Sequence, residues 1–210
     1  MHKLEGLYAI TPKNSGSTTQ LINSVQAALK GGVRIIQYRD KSTHHSLRKH
    51  MSMKLLALCE TYAATFIIND DIELAANTGA HGVHLGKHDI NIKTARTRLG
   101  VNSIIGISCY DDQDRAEKAK REGADYIAFG SFFPSPTKPE AVPAKIPLLQ
   151  YWKSQPIPVC AIGGITLKRA PTLIEAGADM LATISDLWSS QNIQKHAEAY
   201  KLLWSAKSIQ

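Results

Sequence analysis

The chain is poor in cysteine, has no long apolar run, and nowhere concentrates charge of one sign. Its three cysteines, Cys59, Cys109 and Cys160, stand in apolar or strand-like surroundings without a CxxC spacing. That distribution excludes a disulfide framework and predicts reduced thiols in a cytoplasmic protein. No stretch reaches the roughly 18–20 apolar residues of a membrane span, and residues 1–6 have no apolar core ahead of a cleavage site, so no membrane partner is expected. No run of five or more basic residues occurs, which counts against a nucleic-acid-binding tail. What is present is a chain of 210 residues, 43% hydrophobic, with a net charge of +7 and an isoelectric point near 9.3. Such a chain can bury one sizeable core, and residues 1–210 are expected to form one domain. With nucleic acid and membrane set aside, the positive balance favours small phosphorylated molecules as partners. A homodimer is compatible with the sequence, which gives no oligomeric state.

Strand-like and helical segments alternate along the whole length. Strands are expected at residues 6–11, 34–41, 65–68, 82–85, 103–108, 126–130, 159–162 and 180–185. Between them lie amphipathic helical stretches. The first is capped by Ser17 or Thr18, and the second by Ser42 or Thr43 with Leu47, Met51, Leu55 and Leu58 on its apolar face. Later helices cover residues 72–77, 92–99, 111–122, 146–152, a stretch ending at Gly177, and 192–207. A weak repeat supports this division: GGVRII, GAHGVHL, GADYIAF and GADMLAT each place a helix-stopping glycine before a strand. Eight such units in so compact a chain fit an α/β fold of the single-domain (βα)8 TIM-barrel type better than an open doubly wound sheet. In a barrel the polar residues that follow all eight strands share one rim, where active sites of this fold lie.

Three constellations fall on that rim. Residues 65–89 hold two strands that end in Asn69, Asp70 and Asp71 and in Gly86, Lys87, His88 and Asp89. If the strands are parallel neighbours, Asp70 and Asp89 meet at one end of the sheet and can hold Mg2+, with room for water and phosphate oxygens. An aspartate at a strand-to-helix junction also commonly caps the next helix, so for Asp70 and Asp71 both roles stand. The second constellation gathers donors: Gln37, Arg39 and Lys41 on one side of their strand, with Asn69, Lys138 and the hydroxyls of Ser108, Ser135 and Thr137. With a metal at Asp70 and Asp89 this set suits a pyrophosphate. In the third, Gly163 and Gly164 after the seventh strand and Ile184 and Ser185 after the eighth suit a single phosphate, held by backbone N–H groups. His81, His84 and His88 are poor zinc candidates, because strand alternation separates their directions and no cysteine joins them.

The motifs QYRDK (37–41), NDD (69–71), GVHLGKHD (82–89), GIS (106–108), FGSFFPSPTKP (129–139), AIGGI (161–165) and ATIS (182–185) occur in an order and over a span that resemble the thiamine phosphate synthase family. The resemblance implies a (βα)8 transferase of thiamine biosynthesis. Such an enzyme couples 4-amino-2-methyl-5-hydroxymethylpyrimidine pyrophosphate with 4-methyl-5-(2-phosphoethyl)thiazole to give thiamine phosphate and pyrophosphate. It further implies Mg2+ on Asp70 and Asp89, and pyrophosphate on Arg39, Lys41, Asn69 and Lys138. Gln37 and Ser108 would touch the pyrimidine or the leaving group, and Ser135 and Thr137 the thiazole side. Gly164, Ile184 and Ser185 would take the thiazole phosphate, and Ser108 and Lys138 would be the catalytic residues. The implied mechanism is dissociative: pyrophosphate departs and the thiazole nitrogen captures a pyrimidine-stabilised carbocation. This chain has Lys87 where the family usually has Gln, and Ser135 where it usually has Thr. Two alternatives share the scaffold. A thiazole tautomerase would need a catalytic His where Tyr110 stands, and a non-catalytic, phosphate-binding regulatory barrel would be expected to have lost the carboxylates that this chain keeps.

Overall fold

Eight parallel strands close on themselves in chain order. The computed structural model describes residues 3–13, 16–134 and 143–207. Its strands are β1 (Gly6–Ile10), β2 (Ile35–Tyr38), β3 (Thr65–Asn69), β4 (Gly82–Leu85), β5 (Ile104–Tyr110), β6 (Tyr126–Phe129), β7 (Val159–Ile162) and β8 (Met180–Thr183). The ring closes where Gly6 of β1 stands opposite Met180 of β8 and Ala9 opposite Thr183. The helices are α1 (Thr18–Lys30), α2 (His45–Thr61), α3 (Ile72–Thr78), α4 (Ile92–Leu99), α5 (Gln113–Arg121), α6 (Ile146–Trp152), α7 (Ala170–Ala176), α8 (Ser185–Trp188) and α9 (Ile193–Lys207).

The pleat divides the apolar residues into two layers. Ile36, Tyr38, Phe66, Ile68, Val83, Ile105 and Ile107 face outward and pack with the helices. Tyr8, Ile10, Ile35, Ile67, Tyr126, Ala128, Cys160, Met180 and Ala182 fill the barrel. Because side chains alternate along a strand, Gln37 falls on the inner side with Ile35, as the alternation of β2 predicts.

Local signals set most boundaries. Ser17 accepts from the Gln20 N–H while the Gln20 side chain accepts from the Ser17 N–H, a reciprocal cap that fixes the start of α1. Gly79 ends α3 in the left-handed conformation that glycine adopts without steric cost. Elsewhere the structure departs from expectation. The α2 cap position is occupied by His44 without a side-chain cap bond, and Asp40 Oδ1 takes the Ser42 N–H at 2.8 Å in a local turn ahead of it. Leu47 lies in the first turn of α2 and is 48% exposed; the buried face begins at Met51. Strand β5 runs two residues past Ser108, through a register shift between Ser108 and Tyr110. Strand β8 stops at Thr183, and Ser185 opens the one-turn α8 instead of ending the strand. No helix of the described residues is long and apolar enough to cross a membrane.

Candidate active site

The two adjacent aspartates after β3 separate into distinct jobs. Asp71 caps α3, accepting from Leu74 N–H at 2.9 Å, and pairs with Arg48 Nη2 at 2.8 Å. Asp70 does not cap. Its backbone sits at φ +62°, a region in which non-glycine residues are uncommon, and its N–H bonds back to His84 O of β4 at 2.9 Å. That turn carries the Asp70 carboxylate to Lys41 Nζ at 3.0 Å and into hydrogen-bonding reach of Asp89. Partial burial and the Asp70 contact hold the Asp89 carboxyl above the ordinary carboxylate value of 3.8; the Gly86 N–H, at 2.6 Å, and Lys41 pull it the other way. Two carboxylates in contact repel when both are ionised, and a cation between them removes the conflict. Lys41, expected among the pyrophosphate donors, pairs with the carboxylate side of the site.

Beside this rim opens a cavity of about 1430 Å3, lined among others by Gln37, Arg39, Asn69, Ser108, Gly164, Ile184 and Ser185. Arg39 is placed by its N–H, which Thr11 Oγ1 accepts at 2.9 Å, and no hydrogen bond engages its guanidinium among the described residues. Asn69 ends β3 opposite His84 in register. The structure thus brings together on one rim the expected residues Gln37, Arg39, Lys41, Asn69, Asp70, Asp89, Ser108, Gly164, Ile184 and Ser185. Ser135, Thr137 and Lys138 lie outside the described residues.

The glycine pair serves the chain itself as well as the cavity. A Cβ on Gly163 would collide with Ser131, and one on Gly164 with Phe133 and Pro134. Phe133 N–H donates to Gly163 O at 3.1 Å, and Arg169 donates to Gly164 O at 2.8 Å while lying over the Phe133 ring. The segment after β6 therefore rests directly on the turn after β7. Opposite it, α8 presents its first N–H groups, which have no partner within the helix, from the stretch that begins at Ser185.

Four residues join the site that the sequence does not place there, His84 among them being weighed only as a zinc ligand. Arg115 reaches from α5 to Ser108 O at 2.7 Å and Gly86 O at 3.0 Å, tying together the ends of β4 and β5. His84, Tyr126 and Tyr8 lie on the inner side of the barrel, where His84 joins Ser108 and Tyr126, and Tyr126 joins Tyr8. The available signal was the alternation of GVHL, which puts His84 on the inner face with Gly82. His81 Nδ1 accepts from Phe66 N–H, so His81 and His84 serve different neighbours. Tyr110, at φ +60°, accepts from the Lys87 N–H at 3.3 Å.

Comparison with known proteins agrees with this geometry. Residues 7–187 match the family model of thiamine monophosphate synthase. The chain is 47% identical over 201 residues to the thiamine-phosphate synthase of Thioalkalivibrio sulfidiphilus, covering 95% of this chain and 94% of that one. It is 48% identical over 199 residues to the enzyme of the same name from Nitrosococcus oceani, with coverage of 94% and 92%. Among solved structures, the thiamine phosphate pyrophosphorylase from Pyrococcus furiosus superposes with a TM-score of 0.86 at 32% identity, covering 96% of each chain. A barrel whose rim residues meet as described, and whose sequence matches on this scale, belongs to the thiamine monophosphate synthase family.

Proposed function

We propose that this protein couples 4-amino-2-methyl-5-hydroxymethylpyrimidine pyrophosphate with 4-methyl-5-(2-phosphoethyl)thiazole, releasing pyrophosphate and forming thiamine phosphate in the cytoplasm. The observation that carries the proposal is the meeting of Asp70 and Asp89 beside Lys41, next to a cavity of about 1430 Å3 lined by their chain neighbours Asn69, Lys87 and His88. A pocket for one small ligand commonly has roughly 300–1000 Å3; this one has room for two. The carboxylate pair fits Mg2+, which needs only one or two protein carboxylates when phosphate oxygens and water complete its shell. Bound there, Mg2+ would neutralise charge on the departing pyrophosphate.

This chain's own residues do the rest. Asp70 and Asp89 would hold the metal, while Arg39, Lys41, Asn69 and Lys138 would take the pyrophosphate oxygens. Gln37 and Ser108 orient the pyrimidine, Ser135 and Thr137 meet the thiazole, and the backbone at Gly164, Ile184 and Ser185 takes its phosphate. The carbon–oxygen bond to pyrophosphate breaks, its electron pair leaving with the phosphate oxygen, and the thiazole nitrogen lone pair forms the new carbon–nitrogen bond. Catalysis then consists of charge stabilisation and placement of the nucleophile. The test supplies both substrates and Mg2+ and follows pyrophosphate and thiamine phosphate. Both products are expected in equal amounts; no coupling, together with thiazole tautomerisation that depends on Tyr110, would assign the barrel to the tautomerase reaction instead.

A further inference from the structure

Five residues from five strands form one hydrogen-bonded chain through the barrel interior. Gln37 Nε2 on β2 donates to the Tyr8 hydroxyl on β1 at 2.7 Å. The Tyr8 and Tyr126 hydroxyls meet at 2.8 Å, Tyr126 of β6 meets His84 Nδ1 of β4 at 2.9 Å, and His84 Nε2 meets Ser108 Oγ of β5 at 2.8 Å. The chain is built in: Tyr8 and Tyr126 are buried, the His84 ring stacks on Tyr126 at 5.6 Å, and Gly106 has no side chain because a Cβ there would fall within the Tyr126 ring. Burial pushes both phenols above their ordinary range, so neither ionises to escape the network.

Counting protons gives the chain a direction. Each hydroxyl has one proton to donate, and neutral imidazole has one donor and one acceptor nitrogen. The Gln37 N–H fills the Tyr8 oxygen, so the Tyr8 proton goes to Tyr126 and the Tyr126 proton goes to His84 Nδ1. His84 then carries its proton on Nε2 and donates it to Ser108 Oγ. Ser108 lines the cavity, and its own proton is left to point there. Gln37 also lines the cavity, and its carbonyl oxygen takes no partner among the described residues.

We propose that Tyr126 and His84 are positioning residues for the pyrimidine: through this relay they make Ser108 a hydrogen-bond donor to the cavity, opposite in sense to the Gln37 carbonyl acceptor. The identity of the ligand rests on the synthase reading. A donor and an acceptor fit the edge of a 4-aminopyrimidine, which offers a ring-nitrogen acceptor and an amino donor. The 4-oxo analogue offers the reverse pattern, and fits only if the Gln37 amide turns over and every proton in the relay shifts.

Two measurements test this on the intact protein. Ring-nitrogen NMR of histidine-labelled protein, assigned with His84→Ala, is expected to show the neutral Nε2–H tautomer of His84, mixing with the Nδ1–H form in Tyr126→Phe. Titration with the free alcohols should show the 4-amino-5-hydroxymethylpyrimidine binding about 10- to 100-fold tighter than its 4-oxo counterpart, a preference that Tyr126→Phe reduces to about threefold or less. KM for the pyrimidine substrate rises in that variant more than kcat falls. Tyr8→Phe removes the hydroxyl that fixes the direction at Tyr126 but leaves Tyr126 able to donate to His84, and is expected to mix the tautomers and lower the preference less than Tyr126→Phe does. If Tyr126→Phe does not fold, the wild-type tautomer and the Tyr8→Phe preference decide the matter. An Nδ1–H tautomer in the wild type, or a tautomer and preference both unchanged in Tyr126→Phe, would overturn the proposal. Failure of both alcohols to bind the wild type would instead overturn the synthase reading and the ligand with it, while the ring nitrogens still decide the relay.

Discussion

The rim and the floor of the cavity are built from opposite materials. On the rim, Lys41, Asp70 and Asp89 are charged, stand in loops after β2, β3 and β4, and include a backbone held at φ +62°. On the floor, Gln37, Tyr8, Tyr126, His84 and Ser108 stand on strands and meet through hydrogen bonds and ring contacts, with no ion pair among them. Charges on loops can be exchanged with little harm to the fold, because water screens them. A buried polar chain is part of the packing, and a change there alters stability and function together. The rim should therefore fail in turnover with the fold intact, and the floor in both.

The largest effect is expected on the rim. Asp70→Asn and Asp89→Asn should each lower turnover by about 10²- to 10³-fold, the scale of losing one group aimed at developing charge, with part of the loss recovered at high Mg2+ and melting temperatures close to wild type. Steady-state pyrophosphate release checks this; full activity of both variants in chelator would remove the metal from the mechanism. Next comes the floor. Gly106→Ala pushes a methyl group into the Tyr126 ring, and overpacking of that kind costs about 1–3 kcal/mol, or a fall in melting temperature of about 3–10 °C, together with weaker pyrimidine binding. Calorimetry and a KM measurement on the same sample separate the two losses.

Asp71 sharpens the comparison because it adjoins Asp70 yet belongs to the scaffold. Asp71→Ala removes the α3 cap and the Arg48 partner; a lost cap costs about 1 kcal/mol, so the melting temperature should fall by about 2–4 °C while kcat stays within about twofold of wild type. The smallest effect concerns pH. Asp89 has its folded-state value raised above the ordinary 3.8, so its stabilising contribution is complete below that value and is lost as pH rises through the raised one. Without metal at neutral pH, Asp89→Asn should therefore melt slightly above wild type, by about 1–2 °C, with the gap closing as pH falls toward the carboxylate range. Mg2+ should close the same gap at neutral pH by stabilising the wild type alone.

The rim was legible because its residues follow strands whose ends the sequence marks. α4 over Ile92–Leu99, α6 over Ile146–Trp152 and β4 over Gly82–Leu85 fall where glycines and apolar runs place them, and the polar residues beyond each strand then share one side of a closed barrel. Asp70 and Asp71 could not be told apart in advance, since the Leu74 and Arg48 contacts of Asp71 and the left-handed turn at Asp70 that distinguish them come from the fold. The α2 cap was missed because the helix begins at His45, beyond Ser42 and Thr43, behind a His44 cap position that makes no side-chain bond. The floor was illegible for a different reason: its links join residues 29, 118, 42 and 24 positions apart. Tyr8 and Tyr126 in a single sequence are apolar strand residues like their neighbours, and only the curvature that faces β1 toward β6 shows their hydroxyls to each other.

The seam between β1 and β8 sets an order of assembly. Gly6 pairs with Met180, and the pairs continue to Ala9 and Thr183, so β1 waits for β8. Until β8 emerges from the ribosome, β1 and β7 are bare edges able to pair with another chain, and Tyr8 has no enclosed interior in which to meet Tyr126. The nascent barrel can gather its helices and most of its strands early. Its hydrogen-bonded floor is enclosed only when β8 pairs with β1 and the ring shuts, since contacts this distant in sequence form late and slowly.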